Sequence, residues 1–164
     1  MLEYINHRIS RNDYFMEITK LVAKRSTCLS TPKGAIIIKD NRIIATGYSG
    51  APKGVTSCYE SGKCLKRDLG YGHGEGHDKC LAVHAEANAI LQAASLGISC
   101  KDGIMFCTHQ PCSDCAKLII NSGIRTVVYL EPYPSLLTDD LLSKSGVSMV
   151  KWESESQRDK LVRG

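Results

Sequence analysis

The first regular pattern of apolar and polar positions lies in SRNDYFMEITKLVAKRS, near the start of the chain. Tyr14, Ile18, Leu21 and Val22 recur there at the spacing of one helical face. Ser10 precedes them and has a side chain suited to capping a helix. The segment therefore predicts a first helix that begins close to Ser10.

Two β-branched runs follow in GAIIIKDNRIIATGY, and they are joined at Asp40-Asn41. This pattern predicts two adjacent strands in a hairpin, with an acceptable turn pair in place of the ideal Asn-Gly. From Ser49 to Lys79 the chain is rich in Gly, Ser, Lys and Cys and shows little periodicity. A loop of this length is usually held by an internal cross-link or has a function of its own.

Helices and strands alternate in the rest of the chain. HAEANAILQAASLG is strongly helix-forming and reaches a glycine stop at Gly97. The segments that follow are GIMFCT (strand), PCSDCAKLIINSG (helix with Pro in its first turn), RTVVYL (strand), SLLTDDLLSKSG (helix) and VSMVKW (strand). We find no internal repeat and no domain boundary in this order. The pattern predicts one domain over residues 1–164, with a mixed sheet of about five strands covered by helices on both faces.

Composition narrows the class of protein. The apolar and charged fractions, 43% and 23%, are typical of globular domains. The net charge of +4 is spread along the chain, which suits a solvated mixed-charge surface or an anionic small molecule better than a nucleic-acid groove. The first residues do not resemble a secretory signal and no apolar run approaches the ~20 residues of a membrane span, so we expect a cytoplasmic protein. In that reducing compartment the eight cysteines indicate metal ligation or catalysis more than disulfides.

Two short motifs open the predicted central helices. In CLAVHAEANAI, His84 precedes Glu86 by two positions, and in CTHQPCSDCAKLII, Cys112 and Cys115 are three apart. Residues three apart lie on one face of a helical turn, so both sulfurs can point at one ion. A catalytic zinc takes three protein ligands and keeps a fourth position for water. His84, Cys112 and Cys115 supply that set, and Glu86 is left free to carry protons for the water.

Either motif alone has other interpretations, since a lone Cys-x-x-Cys is also typical of a redox pair or of half a structural zinc site. Together, HAEANAI and PCSDCAKLIINSGI resemble the zinc-dependent cytidine and deoxycytidylate deaminase superfamily, whose signature is H-x-E followed by P-C-x-x-C. GAIIIKDNRIIATGYSGAPKGVTSC and VVYLEPY are similar to its deoxycytidylate (dCMP) deaminase branch, including bacterial late-competence relatives. The resemblance extends from about Cys28 to Tyr133 and implies a cytidine-deaminase-like three-layer α/β/α sandwich.

The resemblance also implies a reaction. Zinc on His84, Cys112 and Cys115 would activate water for the hydrolytic conversion of dCMP to dUMP and ammonia, which feeds thymidylate synthesis. Glu86 would take the proton of the water, deliver one to N3 of cytosine and protonate the departing amine. The backbone amide of Ala85 is expected to contact the oxygen that reacts.

Four further cysteines surround the long loop. In several dCMP deaminases a second zinc lies at the corresponding place. The resemblance therefore implies a structural zinc on Cys28, Cys58, Cys64 and Cys80, with His77 or His73 as a substitute for one cysteine. A metal there would offset the entropy of ordering the loop. The alternative is a set of free thiols in a solvated loop. Cys100 and Cys107 are interpreted as packing residues.

The substrate contacts are also taken from the resemblance. GYSGAP matches the substrate-side segment of the family, but Ser49 stands where Asn is more usual, so its hydroxyl offers fewer bonds to the sugar than an amide would. Thr108 and Gln110 are expected at the mouth of the zinc pocket. Tyr129 or Tyr133 is expected to pack against the base or reach the phosphate, unless they are core aromatics.

Partners and competing functions complete these expectations. The family commonly forms homo-oligomers, dimers or hexamers, and often responds to dCTP and dTTP. Within the same fold, a nucleoside, guanine, riboflavin-precursor or tRNA adenosine deaminase would carry the same zinc signature. A non-catalytic zinc module in DNA uptake or nucleic-acid binding is the alternative from a different class, and the free carboxylate of Glu86 speaks against it.

Overall fold

The computed structural model describes residues 8–72, 75–133 and 135–154, so His73 lies outside the described residues. The helices are Arg11–Ala23 (α1), Cys58–Ser61 (α2), Leu65–Asp68 (α3), Ala85–Ser95 (α4), Ser113–Asn121 (α5) and Leu136–Ser145 (α6), with a 3-10 turn at His77–Lys79. The strands are Gly34–Lys39 (β1), Arg42–Tyr48 (β2), Ile104–His109 (β3), Thr126–Glu131 (β4) and Ser148–Lys151 (β5). The capping of α1 by the Ser10 side chain, which accepts a hydrogen bond from the Asp13 amide, confirms the expected helix start.

The five strands form one mixed sheet in the order β2-β1-β3-β4-β5. The strand β1 runs antiparallel to both β2 and β3, whereas β3, β4 and β5 are parallel to one another. The hairpin turn is confirmed at Asp40 and Asn41, which have positive φ angles of 49° and 59°. Positive φ at both turn residues matches the twist of the flanking strands, and Asp and Asn tolerate it better than most side chains.

Helices cover both faces of this sheet. On one face, Phe15 and Met16 of α1 pack on Ile36, Ile38 and Phe106 of the central strands. The other face buries residues of α4, α5 and α6 against the sheet, in a cluster of Ala35, Ile37, Ala45, Ala85, Ala89, Ala93, Cys100, Met105, Cys107, Ala116, Ile119, Ile124, Val127 and Leu142. The three-layer sandwich is therefore confirmed, and Cys100 and Cys107 are the buried packing residues that the sequence predicted.

The helix α4 is held tightly against the edge strand β2. Gly47 makes this approach possible, because a Cβ there would overlap backbone atoms of Ala85 and Ala89. Along the outer edge of β2, the Asn88 side-chain amide donates to the Tyr48 carbonyl (2.8 Å), and the Gln92 side-chain carbonyl accepts from the Thr46 amide (2.7 Å). These contacts fix the helix start that carries His84 and Glu86.

Two predictions of local structure differ from what is observed. The helix α5 begins at Ser113, so Pro111 precedes the N-cap Cys112 and does not lie in the first turn. Cys112 keeps an extended conformation (ψ 170°), which an N-cap requires and which turns its side chain toward Cys115. The long loop is also less irregular than expected, because it contains α2, α3 and the 3-10 turn. Among the described residues, no helix is long and apolar enough to cross a membrane.

Candidate active site

Three metal-binding side chains converge where two helices begin. His84 is the N-cap of α4, Cys112 is the N-cap of α5, and Cys115 lies one turn further along α5. The Nδ1 atom of His84 is 3.4 Å from each of the two cysteine sulfurs. The ligand atoms of all three residues lie within 4.8 Å of one another, so the structure brings together the set that the sequence predicted.

The spacing of these atoms fits zinc. Tetrahedral ligation with bonds of about 2.0 Å to nitrogen and 2.3 Å to sulfur places nitrogen and sulfur about 3.5 Å apart. The observed 3.4 Å agrees with that value for both cysteines. Two thiolates and one imidazole are also the soft and borderline ligands that zinc prefers. Three ligands leave the fourth coordination position for water or substrate.

The charges in this group suit a metal ion. Hydrogen bonds from the Cys115 thiol and from His84 lower the pKa of Cys112 to about 3, although burial opposes this. The pKa of Cys115 is raised, first because its thiol donates to Cys112 and then because it is buried. The hydrogen bond to Cys112 raises the pKa of His84 as well. One sulfur is thus already a thiolate, and zinc binding would release the protons held by the Cys115 thiol and the His84 ring.

Glu86 lies beside the metal-binding group, in the first turn of α4. It is only 4% exposed, and its Oε2 atom accepts a hydrogen bond from the Cys115 sulfur at 3.7 Å. Burial raises the pKa of this carboxyl above its usual range. A carboxyl group whose pKa is shifted toward neutrality both accepts and returns protons readily near pH 7. Glu86 is therefore buried next to the metal-binding group, and its proton-carrying role stays a prediction.

The backbone adds positive potential at the same point. His84 and Cys112 are the N-caps of α4 and α5, so the positive ends of both helices lie at the metal-binding group. Ala85 is the first residue of α4 and is buried. Its expected amide contact to the reacting oxygen stays a prediction. Helix N-termini of this kind favour thiolate and hydroxide over their protonated forms.

A cavity opens next to the metal-binding group. His84, Glu86 and Cys112 line it. Ser49, Gln110 and Tyr133 line the same cavity, as do Lys33 and Lys66. No sequence pattern distinguishes these two lysines, because the basic residues are spread over the whole chain.

Two of the predicted substrate residues use their hydroxyl groups to hold the backbone. The Ser49 hydroxyl bonds the Ser26 hydroxyl at 2.7 Å and accepts from the Lys33 amide at 3.1 Å. The Thr108 hydroxyl accepts from the Gly34 amide at 3.1 Å. Both side chains therefore fix the segment that enters β1. Their expected contacts with the substrate stay predictions.

Gln110 has a structural role that is visible in its contacts. Its side-chain amide donates to an Asp139 carboxylate oxygen of α6 at 2.9 Å, and its side-chain carbonyl accepts from the Tyr133 amide at 3.2 Å. Gln110 is 6% exposed, so these bonds lie out of bulk water. It thereby holds the segment after β4 in place and keeps Tyr133 at the cavity. Tyr129, by contrast, packs against the buried cluster of the sheet.

The four cysteines around the long loop line one cavity, but among the described residues only His84, Cys112 and Cys115 lie close enough together to form a metal-binding group. Cys58 opens α2, Cys64 is the N-cap of α3, and both are buried, whereas Cys28 and Cys80 are half-buried. The pKa of Cys58 is raised by burial and then by the negative charge of the other three. All four also line the cavity, as does His77, whose ring lies edge-on against His84 at 5.4 Å between centroids. The structural zinc on these residues stays a prediction.

The chain is similar to known proteins over most of its length. Residues 9–131 match the family model described as the cytidine and deoxycytidylate deaminase zinc-binding region. The ComE operon protein 2 of Bacillus subtilis is 40% identical over 148 residues, which cover 89% of this chain and 73% of that protein. The deoxycytidylate deaminase of Schizosaccharomyces pombe is 39% identical over 87% of this chain, but the match spans only 44% of that protein.

A solved structure shows the same architecture. The crystal structure of dCMP deaminase from the cyanophage S-TIM5 in complex with dCMP and dUMP superposes with a TM-score of 0.69, at 30% identity, over 85% of this chain and 95% of that chain. The metal-binding triad, the buried glutamate and the family match thus agree with one another. The chain belongs to the cytidine and deoxycytidylate deaminase zinc-binding family.

Proposed function

We propose that this protein is a zinc-dependent deaminase that converts dCMP and water to dUMP and ammonia. The observation that carries this proposal is a buried carboxyl, Glu86, next to a His-Cys-Cys group at the end of a cavity. A purely structural zinc site gains nothing from such a carboxyl. The substrate is supported by the relatives named deoxycytidylate deaminase and by the cyanophage enzyme solved with dCMP and dUMP.

His84, Cys112 and Cys115 would hold the zinc. When bound, zinc activates water as a nucleophile near neutral pH. Glu86 takes the proton that the water loses and delivers it to N3 of cytosine while a bond forms from oxygen to C4. It then carries the second proton of the water to the amino group, the C4–N bond breaks, and ammonia leaves. The carboxylate is regenerated, and the carbonyl of uracil remains at C4.

Glu86 must accept a proton from water and then donate it to the substrate, and its surroundings suit both transfers. A carboxyl with an ordinary pKa would accept protons at neutral pH poorly, whereas the raised pKa brings it closer to the pH at which the reaction occurs. The Glu86 Oε2 atom lies 3.7 Å from the Cys115 sulfur, so the carboxyl is next to the residues that would hold the zinc. Burial also excludes bulk water that would compete for the protons.

We also propose the structural zinc on Cys28, Cys58, Cys64 and Cys80. The mutual influence of the four thiols and their place in one cavity support it. His77, whose ring contacts His84, lines the same cavity and is kept as the alternative to one of these cysteines. Homo-oligomers, regulation by dCTP or dTTP, and a cytoplasmic location stay predictions.

The test is a comparison of dCMP with cytidine, guanine and an adenosine-containing RNA, using zinc-loaded protein. We expect dUMP and ammonia in equal amounts from dCMP. Glu86→Gln should keep zinc and bind dCMP but lower kcat by about 100- to 10,000-fold, because an amide cannot shuttle protons. Glu17→Gln, which changes an exposed surface glutamate, serves as the matched control and should retain full activity.

Two results would contradict the proposal. Zinc-loaded protein that releases no ammonia from dCMP is not a dCMP deaminase, and product from another substrate would identify the correct branch. Inactivity toward all four substrates, with salt-dependent binding of single-stranded DNA, would favour the non-catalytic zinc module.

A further inference from the structure

Gln110 lies at a junction of three segments and bonds to two of them through its side chain. It stands between β3 and α5, two residues before Cys112, and its backbone amide donates to the Glu131 carbonyl at 2.8 Å. Its side-chain nitrogen donates to Asp139 in the first turn of α6, and its side-chain oxygen accepts from the Tyr133 amide. One buried side chain therefore connects the start of α5, the segment after β4 and α6.

The two partners allow only one orientation of the Gln110 amide group. A carboxylate such as that of Asp139 only accepts hydrogen bonds, and the backbone amide of Tyr133 only donates one. The side-chain nitrogen must therefore face Asp139 and the side-chain oxygen must face Tyr133, as observed at 2.9 Å and 3.2 Å. A flipped amide would break both bonds in a side chain that is only 6% exposed.

Only part of this junction reaches the cavity. Gln110, Cys112 and Tyr133 line the cavity, whereas Asp139 is not among its lining residues and is exposed. The ion pairs found among the described residues do not involve Asp139. A hydrogen bond to a carboxylate is stronger than a neutral one. Asp139 therefore orients the Gln110 amide from outside the cavity, and that amide in turn holds the cavity wall at Tyr133.

We propose that Gln110 is a positioning residue for nucleotide binding, and that Asp139 of α6 controls it from outside the cavity. This inference rests on the proposed function. His84, Glu86 and Cys115 lie at the starts of α4 and α5, apart from the side-chain bonds of this junction. A loosened junction should therefore weaken binding of the nucleotide while the chemistry at the reacting carbon is kept.

The first test reverses the polarity of the bond and measures steady-state kinetics with dCMP on zinc-loaded protein. Gln110→Glu replaces the donating nitrogen by oxygen, so that two acceptors meet at 2.9 Å. We expect KM to rise by about 10- to 100-fold, the range for one lost hydrogen bond to a charged group, with kcat within about twofold of wild type. Adding Asp139→Asn supplies a donor at position 139 and should return KM to within about threefold of wild type.

Two further variants serve as controls. Asp140→Asn changes the next residue of α6, whose carboxylate pairs with Lys144 at 2.8 Å. It should leave KM unchanged in the wild-type background and should not rescue Gln110→Glu. Gln110→Met removes both side-chain bonds at similar length, so it should raise KM without rescue by Asp139→Asn. It also keeps the test decisive if Gln110→Glu does not fold.

The second test needs no turnover. Calorimetric titration of the same proteins with dUMP measures how well the cavity binds a nucleotide. Gln110→Glu should weaken dUMP by about the same factor as KM for dCMP, and the double variant should restore it. Zinc content should be equal in all of these proteins.

The two tests separate the inference from the proposed function. If wild-type protein does not turn over dCMP but the loss and rescue appear in dUMP binding, the proposed function fails and the role of Gln110 stands. Loss of zinc in Gln110→Glu, or loss of kcat with KM unchanged, would mean that Gln110 acts on Cys112 or on the reacting end and would overturn the inference. Absence of rescue by Asp139→Asn, or wild-type protein that binds no dUMP, would overturn it as well.

Discussion

The close approach of β2 to α4 makes Gly47→Ala the most informative single substitution in the scaffold. A Cβ at Gly47 would overlap the Ala85 carbonyl oxygen and the Ala89 amide nitrogen, and it would lie 2.9 Å from the carbonyl carbon of Asn88. Carbon atoms in contact are normally about 3.5 Å apart or more, so the Asn88 contact alone requires the strand and helix to separate by about 0.6 Å. All three atoms belong to the backbone, and no rotamer change can relieve the clash.

The loss of stability that we expect from Gly47→Ala follows from this geometry. Overpacking typically costs about 1–3 kcal/mol, and we expect the upper end here, about 3 kcal/mol, because helix and strand must move as units. For a chain of this size, that loss corresponds to a Tm lower by about 6–12 °C. Movement of α4 also displaces His84 and Glu86, and a misplacement of about 1 Å at a reacting centre costs on the order of 100-fold in rate.

The assay combines thermal unfolding, zinc content and kcat/KM for dCMP. Gly97→Ala provides the matched control, since Gly97 follows the other end of α4, has a φ of 69° and has open space where a Cβ would lie. That control should lose only about 1–2 kcal/mol, from the positive φ, and keep its activity. If Gly47→Ala proved as stable as Gly97→Ala and fully active, the close approach would not be what positions the catalytic helix.

Two further predictions concern the metal ligands. Cys115→Ala should lose the catalytic zinc and all activity together, because two protein ligands hold zinc poorly, whereas undiminished zinc in metal analysis would refute its assignment. The wild-type chain should contain about two zinc ions, and Cys58→Ala should lose one of them, lower the Tm and keep the catalytic ion. A content of one zinc ion per chain in fully active wild-type protein would mean that the four loop cysteines are free thiols.

The sequence was sufficient for those parts of the molecule that local chemistry determines. The turn at Asp40-Asn41, the start of α1 at Ser10 and the glycine stop at Gly97 each depend on the backbone preference of one or two residues. The His-Cys-Cys group could also be predicted, because zinc needs particular side chains at particular spacings.

Other features depend on contacts between distant segments, and the sequence does not encode these as patterns. The clearance at Gly47, the use of the Ser49 hydroxyl to hold Lys33, and the support of Tyr133 by Gln110 all arise when separate elements pack together. The place of Lys33 in the cavity is not predicted for the same reason, since a lysine before a strand has no pattern that distinguishes it from a solvated residue.

The side chains of α4 have a consequence for how the protein behaves when it begins to unfold. An edge strand with unpaired amide and carbonyl groups is a template for intermolecular pairing and hence for aggregation. In β2 this template is blocked at Thr46 and Tyr48 by Gln92 and Asn88, and just beyond the strand at Gly50 by backbone bonds to the segment before His84. If α4 detached, His84 would leave the metal-binding group, and the unpaired backbone groups of β2 would be exposed at the same time. We therefore expect bound zinc to protect the protein against self-association as well.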